Sequence, residues 1–169
     1  MRFRKGFTTL LALGFLISGC TIEPRTDRGS AQTQDQERNR RQVIQPDGVA
    51  SLPIFSLAIR SGDLIFLSGQ LGAVPGENPP RIVEGGIEAE TRQTIENIAA
   101  VLDAAGATLQ DLLKCTVFLA DIEDYAAMNA VYAEYFKSDP PARAALAGSG
   151  LALGALVELD CIAVAPSSG

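Results

Sequence analysis

The chain has 169 residues, a formal net charge of −6 and an apolar content of 47%. This length fits one domain with extensions, and the apolar content is sufficient for an ordinary hydrophobic core. The acidic balance, with no basic cluster after residue 41, excludes the positively charged footprint that nucleic-acid binding requires. The sequence has no histidine, so any acid–base chemistry must use other side chains.

The first twenty residues resemble the leader of a bacterial lipoprotein. Three basic side chains precede an apolar stretch, residues 7–17, that is too short to cross a bilayer. The following "ISGC" resembles a lipobox, which implies cleavage after residues 1–19 and lipidation of Cys20. The alternative is an ordinary secretory leader with a chance cysteine. Threonine at position 21, by analogy with lipoprotein sorting, favours export to the outer membrane, facing the periplasm.

The next segment, residues 20–42, is polar and rich in glutamine, arginine and aspartate. It contains almost no large apolar side chains, so it cannot bury enough surface to fold. We therefore expect a disordered tether that begins at the lipidated cysteine and holds a globular domain, residues 43–166, away from the membrane.

The predicted domain begins with three strands. "RQVIQP" is a short strand, and "FSLAIRSGDLIFLSGQLG" contains two strands joined by a hairpin turn at "SGD". A loop rich in proline and glycine follows. Further along, "LLKCTVFLAD", "PARAALA" and "ALVELDCIAVA" are apolar stretches typical of strands.

Apolar positions at three- and four-residue spacing predict two helices. The face of the first consists of Thr91, Ile95, Ile98, Leu102 and Ala105. Asp121 caps the second, whose predicted apolar stripe is Ile122, Tyr125, Met128, Tyr132 and Tyr135 or Phe136. The order β-β-β-α-β-α-β-β indicates an α+β fold with both helices on one face of a mixed sheet. Because no third helix remains, we expect the other face to pack against further subunits.

Several of these stretches resemble the RidA (YjgF) family of enamine/imine deaminases over residues 42–165. The most specific are "SGQ" at positions 68–70, "TVFLADIEDYAAMN", and "PAR" followed by "VELDCIA". The resemblance implies the fold shared with chorismate mutase and a homotrimer with clefts between its subunits. It also implies hydrolysis of small 2-imino or enamine acids to 2-keto acids and ammonia, without a cofactor.

Arg143 falls on the substrate-binding arginine of that family, and Glu158 on its water-handling glutamate. A guanidinium can hold a carboxylate through two parallel hydrogen bonds, which a lysine cannot copy. Without the resemblance, Arg143 could equally cover apolar surface or pair with a surface acid. Glu158 could be a charge on the solvent face of an edge strand. Antiparallel neighbouring strands could bring both side chains into one cleft.

Four other positions match residues that line the family's cleft. Phe55 stands where many members have tyrosine, so it keeps an apolar wall and lacks a hydroxyl donor. Ala145 stands where some members have cysteine, so a thiol is absent. Ser68 and Asn129 match polar residues of the cleft, although both could instead bond nearby backbone.

Cys115 and Cys161 lie inside apolar strands, and we expect them to be buried and unpaired, although export would permit a disulfide. No metal site is expected, because the sequence has neither histidine nor a Cys-x-x-Cys pair. The alternative to an enzyme is a non-catalytic module, tethered to the membrane, that binds a small carboxylate or acts as a trimeric surface protein.

The lipobox predicts that Cys20→Ser leaves an uncleaved or soluble precursor, because no thiol remains to accept the lipid. Detergent-phase partitioning and intact mass of the product measure the outcome. A variant that still enters the detergent phase at the mature mass would rule out the lipoprotein interpretation.

Overall fold

The computed structural model describes residues 40–47, 49 and 53–166. The predicted signal peptide, the lipidated Cys20 and most of the predicted tether therefore lie outside the described residues. None of the described helices combines the length and apolar character needed to cross a membrane.

Within the described residues the domain contains seven strands and two α-helices. The strands are β1 Gln42–Ile44, β2 Ala58–Ser61, β3 Leu64–Leu67, β4 Gln70–Leu71, β5 Leu112–Leu119, β6 Ala142–Ala147 and β7 Val157–Val164. The helices are α1 Gly86–Asp103 and α2 Tyr125–Tyr135. The predicted α+β fold and order of elements are confirmed, and the short strand β4 is an addition.

The strands form one sheet in the order β1-β2-β3-β7-β5-β6. Strand β4 pairs with β7 at Glu158 and Leu159, beyond the stretch of β7 that pairs with β3. Every pairing is antiparallel except that of β5 with β6, which is parallel. Strand β5 therefore separates the two strands that carry Arg143 and Glu158.

The helices cover one face of the sheet, and the core lies between. Alternate residues of β5 and β7 are fully buried on this face, among them Val117 and Leu159. From the helices, Ile95, Ile98 and Met128 pack into the same core.

The face of the sheet away from the helices, which we call the open face, remains apolar and uncovered in the single chain. Phe66 on β3 is 42% exposed, and Val164 on β7 is 39% exposed. Phe118 and Ile162 occupy the same face by strand alternation and are only partly buried. Such a surface fits the expectation that further subunits cover it.

The second helix departs from its predicted stripe at two positions. Asp121 caps a 3₁₀ turn, Ile122–Asp124, by accepting a hydrogen bond from the backbone N–H of Glu123, and α2 starts only afterwards. A 3₁₀ turn advances three residues per turn, so it does not share the phase of the α-helix. As a result Ile122 and Tyr125 are 57% and 38% exposed, and the prediction that they face the core is wrong.

The two cysteines of the domain form a disulfide, so the expectation that they are unpaired is wrong. Their predicted burial is confirmed, because Cys115 and Cys161 are 0% and 1% exposed. The physical reason is strand register. Antiparallel pairing of β5 with β7 places the two residues directly opposite each other on the helix-covered face.

Replacing both cysteines with alanine should destabilise the domain by about 2–5 kcal/mol, because the crosslink restricts the unfolded chain. Denaturant unfolding of the parent and the double variant at equal protein concentration measures this difference. Alkylation of the unfolded parent without reductant, followed by mass measurement, is the control. Labelling of both Cys115 and Cys161 would show that the bond is absent.

Candidate active site

Arg143 lies on β6 and points to the helix-covered side of the sheet. It is the register partner of the buried Cys115, and paired residues of parallel strands share a face. Its guanidinium carbon lies 4.7 Å from the centre of the Tyr132 ring, close enough for a cation–π interaction. Its Nη2 donates a hydrogen bond of 3.2 Å to the hydroxyl of Tyr125. Two tyrosines of α2 therefore hold the guanidinium at the edge of the sheet.

Asn129 and Ala145 lie beside this arginine. Asn129, one helical turn after Tyr125, lowers the pKa of the Tyr125 phenol through its side-chain amide, and the charge of Arg143 lowers that pKa further. Ala145 follows Arg143 by two residues on β6, so it lies on the same face, where it packs against the core. We call Tyr125, Asn129, Arg143 and Ala145 the Arg143 cluster.

Glu158 lies on β7 and faces the opposite, open side of the sheet. Its neighbours Val157 and Leu159 are buried beneath the helices, so alternation turns Glu158 away from them. The carboxylate lies over Gly69, where an added Cβ would overlap Oε1. Partial burial, and then the nearby carboxylate of Asp160, raise the pKa of Glu158.

Ser68 precedes Gly69 in the chain and is bonded to the segment that carries Phe55. The Ser68 hydroxyl donates a hydrogen bond of 2.7 Å to the backbone carbonyl of Ser56. This is the backbone contact named above as the alternative to a role in the cleft. This bond ties Ser68 to Ser56, the neighbour of Phe55, and Phe55 is 45% exposed. We call Ser68, Gly69 and Glu158 the Glu158 cluster.

The structure does not bring Arg143 and Glu158 together within one chain. Strand β5 lies between their strands, and the two side chains point to opposite faces. The idea of antiparallel neighbours that share one cleft is therefore wrong for the single chain. The two residues are separated because β6 pairs in parallel with β5, which places β6 at the edge of the sheet.

Three residues of these surroundings were not predicted as site residues. Tyr125 and Tyr132 were assigned to the core, although the four-residue spacing of Tyr125 and Asn129 on one helix face was a usable signal. Gly69 is part of the "SGQ" motif, yet only the structure shows that its missing side chain makes room for Glu158. Within residues 40–47, 49 and 53–166 no group of three or more metal-binding side chains occurs.

The family of the chain follows from comparison with known proteins. Residues 47–165 match the family model described as Endoribonuclease L-PSP, the family of the RidA/YjgF proteins. The match covers more than half of the chain. The protein therefore belongs to this family.

Relatives and solved structures agree with this assignment. The RutC family protein PH0854 of Pyrococcus horikoshii is 46% identical over 109 residues, which are 64% of this chain and 85% of that protein. The 2-iminobutanoate/2-iminopropanoate deaminase of Capra hircus is 40% identical over 125 residues, 74% of this chain and 90% of that protein. The crystal structure of RidA from the Antarctic bacterium Psychrobacter sp. PAMC 21119 matches with a TM-score of 0.67 and 36% identity, covering 73% of this chain and 98% of that one.

The contact between Gly69 and Glu158 predicts that Gly69→Ala destabilises the domain by about 1–3 kcal/mol, because the new methyl group displaces the carboxylate. In a Glu158→Ala background the same change should cost much less. Free energies of unfolding for the four proteins of this cycle give the answer.

Gly148→Ala is the matched control, because an added Cβ there meets nothing within 4 Å. It reports the effect of removing a glycine from the unfolded chain. An equal cost of Gly69→Ala with and without the Glu158 carboxylate would contradict the contact.

Proposed function

We propose that this protein hydrolyses small 2-imino acids, or their enamine tautomers, to 2-keto acids and ammonia. The observation that carries the proposal is the guanidinium of Arg143, held against Tyr132 and Tyr125 at the edge of the sheet. Such a planar fork matches a carboxylate, the group that every 2-imino acid presents. The goat relative named 2-iminobutanoate/2-iminopropanoate deaminase supports the reaction.

We further propose that the working site lies between two subunits of a homotrimer. Arg143 and Glu158 face opposite sides of one chain, so a single cleft can contain both only if they come from different chains. The apolar open face supports association, because burying it removes residues such as Phe66 from water. Proteins of this family are generally small homotrimers.

The proposed reaction needs little from the protein. Arg143 binds the substrate carboxylate and places the C2 imine carbon beside a water held by Glu158. Glu158 accepts a proton as that water attacks C2, and a carbon–oxygen bond forms. Proton transfer to the nitrogen then lets the carbon–nitrogen bond break, which releases ammonia and leaves a C2 carbonyl. A raised pKa suits Glu158 to this role, because it makes the carboxylate a stronger base.

The family model is described as an endoribonuclease, but the charge of this protein argues against RNA as its substrate. The chain carries 14 basic and 20 acidic residues, so it offers little attraction to a polyanion. It also has no histidine to act as the general acid or base at a phosphodiester.

We propose that the protein is exported and anchored by a lipid on Cys20, with its domain facing the periplasm. The leader and the lipobox-like "ISGC" support this location. The disulfide between Cys115 and Cys161 supports it independently, because thiols of the cytoplasm are kept reduced.

Arg143→Ala should lower kcat/KM on every 2-imino acid by roughly a hundredfold or more, because it removes a charge-assisted bidentate contact. Arg143→Lys should recover only part of this loss, since the charge remains and the fork does not. Glu158→Gln should lower kcat while binding of a 2-keto acid stays nearly unchanged. Release of 2-keto acid from imines generated in situ measures all three variants.

The intersubunit site adds a sharper outcome to the same experiment. When Arg143→Ala and Glu158→Gln subunits are co-expressed, mixed trimers should regain activity, because some interfaces join an intact Arg143 to an intact Glu158. Random assembly of a cyclic trimer restores about one quarter of the sites.

Each variant alone must remain a trimer by sedimentation for this comparison. Mixed trimers as inactive as the separate variants would show that both residues act from one chain. Suppose instead that Arg143→Ala hydrolyses imines at the parental rate but binds carboxylate less well. The deaminase proposal would then fail, and the protein would be a module that binds small carboxylates.

A further inference from the structure

Tyr125 links the second helix to the strand that carries Arg143. It is 38% exposed, so it contributes little to the core. Its hydroxyl oxygen accepts a hydrogen bond of 3.2 Å from Nη2 of Arg143. Asn129, one turn further along α2, lowers the pKa of the same phenol through its side-chain amide. The phenol therefore stands between an amide of its own helix and the guanidinium of a neighbouring strand.

Tyr132 restrains the same guanidinium from another direction. Its ring centre lies 4.7 Å from the Arg143 guanidinium carbon, whereas the ring of Tyr125 lies 5.7 Å away. Tyr132 is only 5% exposed, so its ring is a fixed surface for the guanidinium. A ring contact fixes the distance of the guanidinium plane and leaves it free to rotate over the ring. The hydrogen bond to Tyr125 is directional, so it restricts that rotation.

We propose that Tyr125 is a positioning residue that orients the Arg143 fork toward the substrate carboxylate. A guanidinium has five N–H groups, and Tyr125 uses one of them, so four remain, and a bidentate carboxylate contact needs only two. This inference rests on the proposed function, because it assumes that Arg143 binds the carboxylate. The ligand class is a small 2-keto or 2-imino carboxylate.

The arrangement has a consequence at alkaline pH. Asn129 and Arg143 lower the pKa of Tyr125, so its phenolate forms below the usual pH for tyrosine. A phenolate would pair with Arg143 and neutralise the charge that attracts the carboxylate. Ligand affinity should therefore fall as pH rises through the ionisation of Tyr125.

Other groups near Tyr125 give a different pH response. Burial raises the pKa of Tyr132, so that phenol ionises at higher pH. Glu123 and Asp124, the acidic side chains of the preceding 3₁₀ turn, are the same in the parent and in Tyr125→Phe. The alkaline loss of affinity is thus specific to Tyr125.

The test is calorimetric binding of 2-oxobutanoate to the full-length chain in detergent, from about pH 7 to about pH 10.5. Tyr125→Phe should bind about three- to tenfold more weakly at neutral pH, the loss expected for one hydrogen bond. It should also lose the alkaline fall in affinity. A role in stability alone would not remove that pH dependence.

Tyr135→Phe is the matched control, because its hydroxyl donates to Glu96 on α1, away from Arg143. It should bind like the parent at every pH. Tyr132→Phe keeps the ring and should keep the alkaline fall. Parental affinity and parental pH dependence in Tyr125→Phe would overturn the inference.

Arg143→Ala separates this inference from the proposed function. If Arg143→Ala loses binding while Tyr125→Phe does not, only the positioning role of Tyr125 fails. If Arg143→Ala binds the keto acid as tightly as the parent, Arg143 is not the anchor, and both proposals fail.

Discussion

The position of β5 between β7 and β6 is the constraint on which the rest of the structure depends. Its antiparallel pairing with β7 sets the register that joins Cys115 to Cys161. Its parallel pairing with β6 sends Arg143 to the edge of the sheet, beneath α2. Because register also decides which side chains face the helices, this one strand determines that Arg143 and Glu158 point in opposite directions.

The two faces of the sheet carry two clusters of different character. The Arg143 cluster is aromatic and cationic, and a hydrogen bond joins its guanidinium to the Tyr125 hydroxyl. The Glu158 cluster depends on a glycine and on a backbone carbonyl, with a carboxylate whose pKa is raised. One cluster is suited to holding an anion and the other to accepting a proton, and the proposed trimer brings them face to face.

The elements of the fold were predictable because their signals are local. Alternation in "VELDCIAV" and the spacing of Ile95, Ile98 and Leu102 report burial without any knowledge of partners. The disulfide was not predictable, because it depends on a register between strands 46 residues apart. The exposed position of Tyr125 was missed because a 3₁₀ turn shifts the helical phase before α2 begins. The site residues came from the family resemblance, and their placement on two faces came only from the topology.

The parallel pair β5 and β6 is connected by α2, so Arg143 and the tyrosines that hold it lie within one continuous stretch, residues 112–147. The surroundings of Glu158, by contrast, join β7 to residues about ninety positions earlier in the chain, at Ser68 and Gly69. The contacts of Arg143 within residues 112–147 can therefore change without disturbing the contact of Glu158 with Gly69. In this fold, selection can therefore alter the surroundings of Arg143, the proposed substrate anchor, independently of those of Glu158, by exchanging side chains along a single helix.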